Sequence, residues 1–190
     1  MKWLVLSAFL SSCFALQSNG FISRAESLMK TDNHVYVLPY EKGTAHWIAQ
    51  GYESLFSHHG DYAIDFKMKP GTKVLAARSG VVIFVRKDNR SGGIGKKYLH
   101  TGNGIVIKHS DSTYAFYWHL QYNGAEVSVG DSVEQGQWIG LSGSTGFSAF
   151  PHLHFEVTRQ SQISQDDFPV PFLVAGRPKF LQPLHRYKAL

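Results

Sequence analysis

Two histidines separated by one residue form the segment of this chain with the clearest chemical meaning, His152-Leu153-His154. The segment continues as Phe155-Glu156-Val157, and this alternation of polar and apolar residues is typical of a β-strand. Residues two apart in a strand point to the same face, so both imidazoles share a face and the apolar side chains point to the other. Two imidazoles on one face are half of a zinc site, although the pair alone is a weak signal and more often marks two surface or core-edge histidines.

A second candidate donor is Asp65, which stands between Ile64 and Phe66 in an apolar strand. An unpaired carboxylate is costly to bury, so Asp65 requires a cation. A metal ion held together with a nearby histidine would satisfy it, and so would a salt bridge to Arg78 or Lys67.

Further histidines lie near the ends of other candidate strands. His119 follows the aromatic run Tyr114–Trp118, where an isolated histidine would be read as a core-edge residue. His58 and His59 precede the Asp65 strand. Together, these segments favour a His/carboxylate metal site over unrelated structural histidines.

The elements that must position these residues are short β-type runs separated by turn residues. The predicted strands are 35–38, 62–67, 74–78, 80–86, 104–109, 113–120, 137–142 and 152–159. Strands this close together, without intervening helices, favour antiparallel pairing. The sequence therefore predicts a mainly β fold, a single domain on an antiparallel sheet with a substrate groove, with one short helix near residues 20–32.

Composition and charge exclude several protein classes. The chain has 190 residues, of which 43% are hydrophobic and only 17% are charged, which disfavours disorder and coiled coil. A single cysteine, Cys13, excludes a disulfide framework and a thiolate zinc cage. The net charge of +5 is compatible with an anionic partner, but no nucleic-acid-binding motif accompanies it.

The N-terminus has the features of an export signal, with Lys2, an apolar run and small residues up to Ala15. We therefore expect a signal peptide over 1–15, with a lipoprotein signal that ends before an acylated Cys13 as the alternative. No later segment is long enough to predict a transmembrane helix. The remaining predicted regions are a lead-in with the first strand (16–56), a domain that contains the candidate site residues (57–158) and a basic, proline-containing C-terminal tail (159–190).

Seven segments, in this order, resemble the M23 peptidase family, the zinc metallopeptidases of the lysostaphin and LytM type that cut peptidoglycan. They are Ser57-His58-x-Gly60 with Tyr62–Phe66, Gly71–Val82, Ile107-x-His109, Tyr117-x-His119-Leu120, Gly130–Gly140, Gly143-x-Thr145-Gly146 and Pro151–Val157. The resemblance implies that His58, Asp65 and His154 ligate zinc, that His152 is the general base and that His119 is the second catalytic histidine. The compact family spacing would place the carboxylate where Tyr62 stands, and His59 remains the alternative to His58.

The function implied by this resemblance is hydrolysis of peptide bonds in bacterial cell-wall peptidoglycan by metal-activated water. We expect one zinc ion per chain, peptidoglycan peptides as partners, a monomer, and a periplasmic or extracellular, cell-wall-associated location. The alternative is a non-catalytic domain of the same fold that binds and activates a cell-wall amidase.

Overall fold

The computed structural model describes residues 35–53, 61–161 and 166–190. The predicted signal peptide, the predicted helix at 20–32 and both candidate ligands His58 and His59 lie outside these residues.

The described residues form β-strands and one short 3-10 helix at Lys96–Tyr98. The strands are β1 (Ala45–Gln50), β2 (Ala63–Lys67), β3 (Lys73–Leu75), β4 (Gly80–Arg86), β5 (Gly92–Gly93), β6 (Asn103–Lys108), β7 (Tyr114–Ala125), β8 (Ser132–Val133), β9 (Trp138–Ser142), β10 (Gly146–Phe147), β11 (Leu153–Thr158), β12 (Phe172–Val174), β13 (Arg177–Lys179) and β14 (Arg186–Lys188).

The main sheet has the strand order β14-β1-β2-β11-β7-β6-β4-β8, with β9 joining β7 to β3. Every pairing in this sheet is antiparallel. The predicted mainly β, antiparallel fold is confirmed. A separate parallel pair, β5 with β10, ties the 87–100 loop to the 143–150 loop.

One face of the sheet is buried by an aromatic core. In β11 the apolar residues Leu153, Phe155 and Val157 are each at most 1% exposed, as alternation predicts. The ring of Phe155 packs edge-to-face against Tyr117 at 5.2 Å and Phe172 at 5.5 Å. Packing on this face leaves the opposite face of β2 and β11 to carry polar side chains, and that of β7 to carry Phe116 and Trp118.

Residues 166–190, most of the predicted C-terminal tail, are part of this packed unit. Phe172 is fully buried and Leu181 is 3% exposed. The last strand, β14, pairs with β1 and extends the sheet by one strand. Residues before and after the boundary predicted at 158/159 therefore share one hydrophobic core.

Two differences from the predicted strands concern the N-terminal part. Residues 35–38 form a single β-bridge, Tyr36 to Phe172, and the first full strand is β1.

No helix among the described residues has the length and apolar character needed to cross a membrane.

Candidate active site

The antiparallel pairing of β2 with β11 places Asp65 directly opposite His154. Oδ1 of Asp65 lies 3.0 Å from Nδ1 of His154, and the carboxylate is almost fully buried. Its second oxygen accepts a hydrogen bond of 2.8 Å from the amide of Gln50 on β1. Arg78, one of the two salt-bridge partners considered for Asp65, pairs with Asp111 instead, at 2.6 Å.

His152 lies on the same face as His154 and is 5% exposed. Its Nδ1 lies 2.7 Å from the carbonyl oxygen of Phe150. Because a carbonyl oxygen only accepts, Nδ1 carries the proton, and Nε2 presents its lone pair to the site. That Nε2 lies 3.5 Å from Oδ1 of Asp65.

His119 reaches the site through an irregularity in β7. In the pairing of β6 with β7, Gly104 faces Trp118 and Asn103 faces Leu120, so His119 is an extra, bulged residue. Its φ of 64° lies in the left-handed region, which histidine adopts more readily than most residues. The bulge turns the ring to the polar face, where its centroid lies 4.6 Å from that of His152.

A buried hydrogen-bond network holds His119 in this position. The Nδ1–H of His119 donates to the carbonyl oxygen of Thr145 at 2.7 Å. The hydroxyl of Thr145 donates to the carbonyl of Leu120 at 2.6 Å and accepts from the backbone N–H of Asn103 at 2.9 Å. Thr145 therefore ties together both strands that flank the bulge.

Burial and the neighbouring His152 and His154 lower the pKa of His119 to about 3, so its ring is neutral at physiological pH. For His154, burial also lowers the pKa, but the hydrogen bond to Asp65 and its negative charge outweigh burial and raise the pKa overall. A neutral His119 that donates through Nδ1 presents a lone pair at Nε2, and it donates from Nε2 only after protonation there.

The donor set fits a zinc ion. Two ligands that each lie about 2.0–2.1 Å from a tetrahedral zinc are separated by roughly 3.3 Å, close to the 3.0 Å between Asp65 and His154. His119, His152 and His154 each offer a nitrogen, and these nitrogens lie within 4.8 Å of one another. Imidazole and carboxylate are both ordinary zinc ligands.

The site opens into a groove of about 1520 Å³. Aromatic side chains line the groove, among them Trp47, Phe84, Tyr98, Trp118 and Phe150, and Leu184 adds an aliphatic one. Besides Asp65, the groove is lined by three acidic residues, Asp61, Glu156 and Asp167, and by two basic residues, Lys67 and Arg86. This shape and mixed lining suit an extended peptide.

Four of the five predicted site residues are thus neighbours in space, namely Asp65, His119, His152 and His154. The fifth, His58, lies outside the described residues. Sequence reasoning missed Gln50, since its strand carries no recognised motif. It also named the Gly143–Gly146 segment as a motif of the resemblance without assigning a role to Thr145, whereas Thr145 in that segment holds His119.

Comparisons with known proteins agree with this geometry. The model of Peptidase family M23 matches residues 57–166. Lysostaphin of Staphylococcus staphylolyticus is 39% identical over 114 residues, which cover 59% of this chain and 22% of that protein. Peptidoglycan DD-endopeptidase ShyA of Vibrio cholerae is 38% identical over 93 residues, which cover 49% of this chain and 19% of that protein.

A crystal structure described as a zinc-containing peptidase from Vibrio cholerae superposes with a TM-score of 0.53 at 29% identity, over 71% of this chain and 39% of that one. The chain spans about a fifth of the length of the curated relatives it matches. Because the family match covers more than half of the chain and includes the strands that carry Asp65, His119, His152 and His154, the chain belongs to peptidase family M23.

Proposed function

We propose that this protein is a zinc-dependent endopeptidase that hydrolyses peptide bonds in bacterial cell-wall peptidoglycan. The observation that carries the proposal is the convergence of three imidazoles and a buried carboxylate on one sheet face, at the floor of a groove. The relatives named above, a peptidoglycan DD-endopeptidase among them, support the substrate class.

In this proposal His58, Asp65 and His154 hold the zinc ion. Bound zinc acts as a Lewis acid and lowers the pKa of a water molecule to about 7. Gln50 fixes the Asp65 carboxylate through Oδ2 and leaves Oδ1 directed at His154. Such partners commonly orient a ligand side chain and tune its basicity.

His152 is proposed as the general base. Its Nε2 lone pair faces the site while Nδ1 is fixed by Phe150, so it is ready to accept a proton from the attacking water. His119 presents the same tautomer. The proton that His152 takes from the water passes to Nε2 of the adjacent His119, which then donates a hydrogen bond to the oxyanion that develops on the scissile carbonyl and finally gives the proton to the leaving amine.

The alternative, a non-catalytic domain that activates an amidase, has less support, because the described residues retain a carboxylate and three histidines in contact. The two functions are separated by incubating the purified protein with peptidoglycan, with and without a chelator, and identifying the soluble peptides by mass spectrometry. We expect new peptide ends only when zinc is present. Release that survives complete metal removal would contradict the zinc mechanism, and the absence of release under any condition would favour the activator.

Peptidoglycan lies outside the cytoplasmic membrane, so the proposed substrate requires export and agrees with the predicted signal at 1–15. Mass spectrometry of the mature N-terminus tests this proposal. Cleavage near Ala15 indicates a plain signal peptide, and an acylated Cys13 indicates a lipoprotein. Light scattering of the purified protein tests the expected monomer.

A further inference from the structure

A row of three side chains, Arg186, Trp47 and Lys67, runs along the polar face of the sheet beside the histidines. In register, Trp47 on β1 faces Arg186 on β14 and Lys67 on β2. Alternation confirms the face, because Ile48 and Phe66, the next residues, are fully buried. We call this row the cationic arm.

The cationic arm leads directly to the proposed general base. The pairing of β2 with β11 sets Leu153 opposite Phe66, and one further step of this register sets His152 beside Lys67. Trp47 and Lys67 line the same groove as His152. Two of the three arm residues are therefore part of the groove, and Arg186 lies one strand further out, opposite Trp47.

The charges of the arm are uncompensated by any carboxylate among the described residues. The ion pairs there engage Lys73, Arg78, His152 and His154, and neither Lys67 nor Arg186 is among them. Between these two cations Trp47 is 52% exposed, a large apolar side chain open to the groove.

A comparable cluster around Trp138 differs from the arm because its cation is neutralised by a carboxylate of the same chain. Trp138 is also well exposed, at 41%, and Lys73 lies 5.4 Å from its ring centroid. There, however, Lys73 pairs with Glu41 at 2.8 Å. The cationic arm has the aromatic ring and the cations, but no carboxylate of residues 35–53, 61–161 or 166–190 forms an ion pair with it.

We propose that the cationic arm binds a free carboxylate of the peptide substrate, which rests on the proposed function. Lys67 supplies the charge nearest the histidines, Trp47 packs against the aliphatic part of the bound residue, and Arg186 extends the positive field outward. The acidic lining residues Asp61, Glu156 and Asp167 repel a carboxylate from their part of the groove, so the charge pattern also orients the substrate.

The spacing of the arm limits where the carboxylate lies in the substrate. Neighbouring strands are about 4.8 Å apart, so Lys67 is one strand and Trp47 two strands from His152. An extended peptide advances about 3.4 Å per residue. The recognised carboxylate is therefore roughly one to three residues from the scissile bond.

The test uses a cross-linked wall peptide in two forms, one with free carboxylates and one with the same groups as carboxamides. KM and kcat are measured for the zinc-loaded full chain, and Kd is measured in a His119→Ala background, which leaves the peptide intact. The wild type is expected to prefer the carboxylate form by about fivefold in KM and Kd, with similar kcat. Lys67→Gln is expected to reduce this preference to less than about twofold, and the matched control Lys73→Gln to retain it.

Each outcome decides the proposal. Loss of the preference in Lys67→Gln alone supports the arm, whereas an unchanged preference, or an equal loss in Lys73→Gln, overturns it. A third measurement titrates polyglycerol phosphate, because a phosphate-bearing wall polymer presents the other anionic source. If Lys67→Gln weakens only that binding, the arm serves the polymer and the proposal is wrong.

If the protein prefers the carboxylate form in binding but does not hydrolyse it, the proposed function is wrong and the carboxylate binding by the arm is supported. If it hydrolyses both forms without a preference, the proposed function is supported and the carboxylate binding is wrong.

Discussion

At the scale of single residues, the site is defined by the group that each imidazole Nδ1 contacts. His119 and His152 each use Nδ1 to donate to a backbone carbonyl, at 2.7 Å in both cases. His154 instead directs Nδ1 to a carboxylate oxygen. Identical side chains therefore have different chemistry, because their partners fix the tautomer.

This difference predicts that substitutions of His154 and His152 have different effects on zinc binding. His154→Ala is expected to lose zinc, because it removes a proposed ligand beside Asp65, and to lose hydrolysis with it. His152→Ala is expected to retain zinc while kcat falls by about 10²–10⁴-fold, the usual contribution of a general base. Zinc content by plasma mass spectrometry, paired with peptide release, distinguishes them. Full zinc occupancy in His154→Ala would show that the ligand assignment is wrong.

Thr145 acts on the reaction through His119 and is a positioning residue. Thr145→Val keeps the shape but leaves the N–H of Asn103 and the carbonyl of Leu120 without their partner. We expect a loss of about 1–3 kcal/mol in the free energy of unfolding and a lower kcat at unchanged zinc content and similar KM.

Thr145→Ser retains the hydroxyl and is expected to restore most of kcat. Steady-state kinetics and urea unfolding of the two variants measure both effects. If Thr145→Val lost stability but kept wild-type kcat, the residue would have only a structural role.

At the scale of elements, the hairpin between β6 and β7 positions β7, the strand that contains the bulge. Its loop is held by Asp111, which accepts from the backbone and hydroxyl of Thr113 and pairs with Arg78 at 2.6 Å. Partial burial raises the pKa of Asp111, but these hydrogen bonds and the guanidinium lower it well below the usual carboxyl range.

A lowered pKa in the folded state makes this loop a pH-dependent source of stability. The contribution is present above the unfolded carboxyl pKa of about 3.9 and disappears as pH falls from there through the folded value. Asp111→Asn is therefore expected to cost about 2 kcal/mol at pH 7 and progressively less below about pH 4. Denaturant unfolding across this range measures it, with the exposed Asp88→Asn as the control. A deficit that stays constant at low pH would contradict the ionic origin.

At the scale of the whole molecule, the groove depends on a sheet whose outermost strand comes from the C-terminus. β14 supplies the neighbour of β1, and β1 in turn supplies Gln50 and Trp47 to the site face. On the buried face, Phe172 packs against Phe66 and Phe155 at 5.8 and 5.5 Å. Residues 166–190 thus contribute to both faces of the sheet.

This arrangement predicts that the C-terminal segment is required for stability. Phe172→Ala is expected to lower the free energy of unfolding by about 3–5 kcal/mol, because it empties a fully buried aromatic position. Its neighbour Leu173 is 44% exposed, and Leu173→Ala is expected to change stability by less than about 0.5 kcal/mol. Urea unfolding of the two variants compares them, and equal effects would show that the segment does not share the core.

Local pattern was sufficient for much of this molecule. Alternation in 152–157 predicted which side chains are buried, and turn residues between short apolar runs predicted an antiparallel β fold. The order of motifs predicted the family. Each of these features is a local pattern of residue types, or the order of such patterns along the chain, so the sequence alone is enough to recognise it.

Tertiary structure decided what depends on contacts distant in sequence. Strict alternation would place His119 on the buried face with Tyr117, and only the bulge against β6 turns it to the site. Gln50 becomes the partner of Asp65 through strand pairing. The C-terminal strand β14 joins the sheet by pairing with a strand about 140 residues earlier. Periodicity reports which residues share a face, but register, bulges and strand order are set by packing across the whole chain.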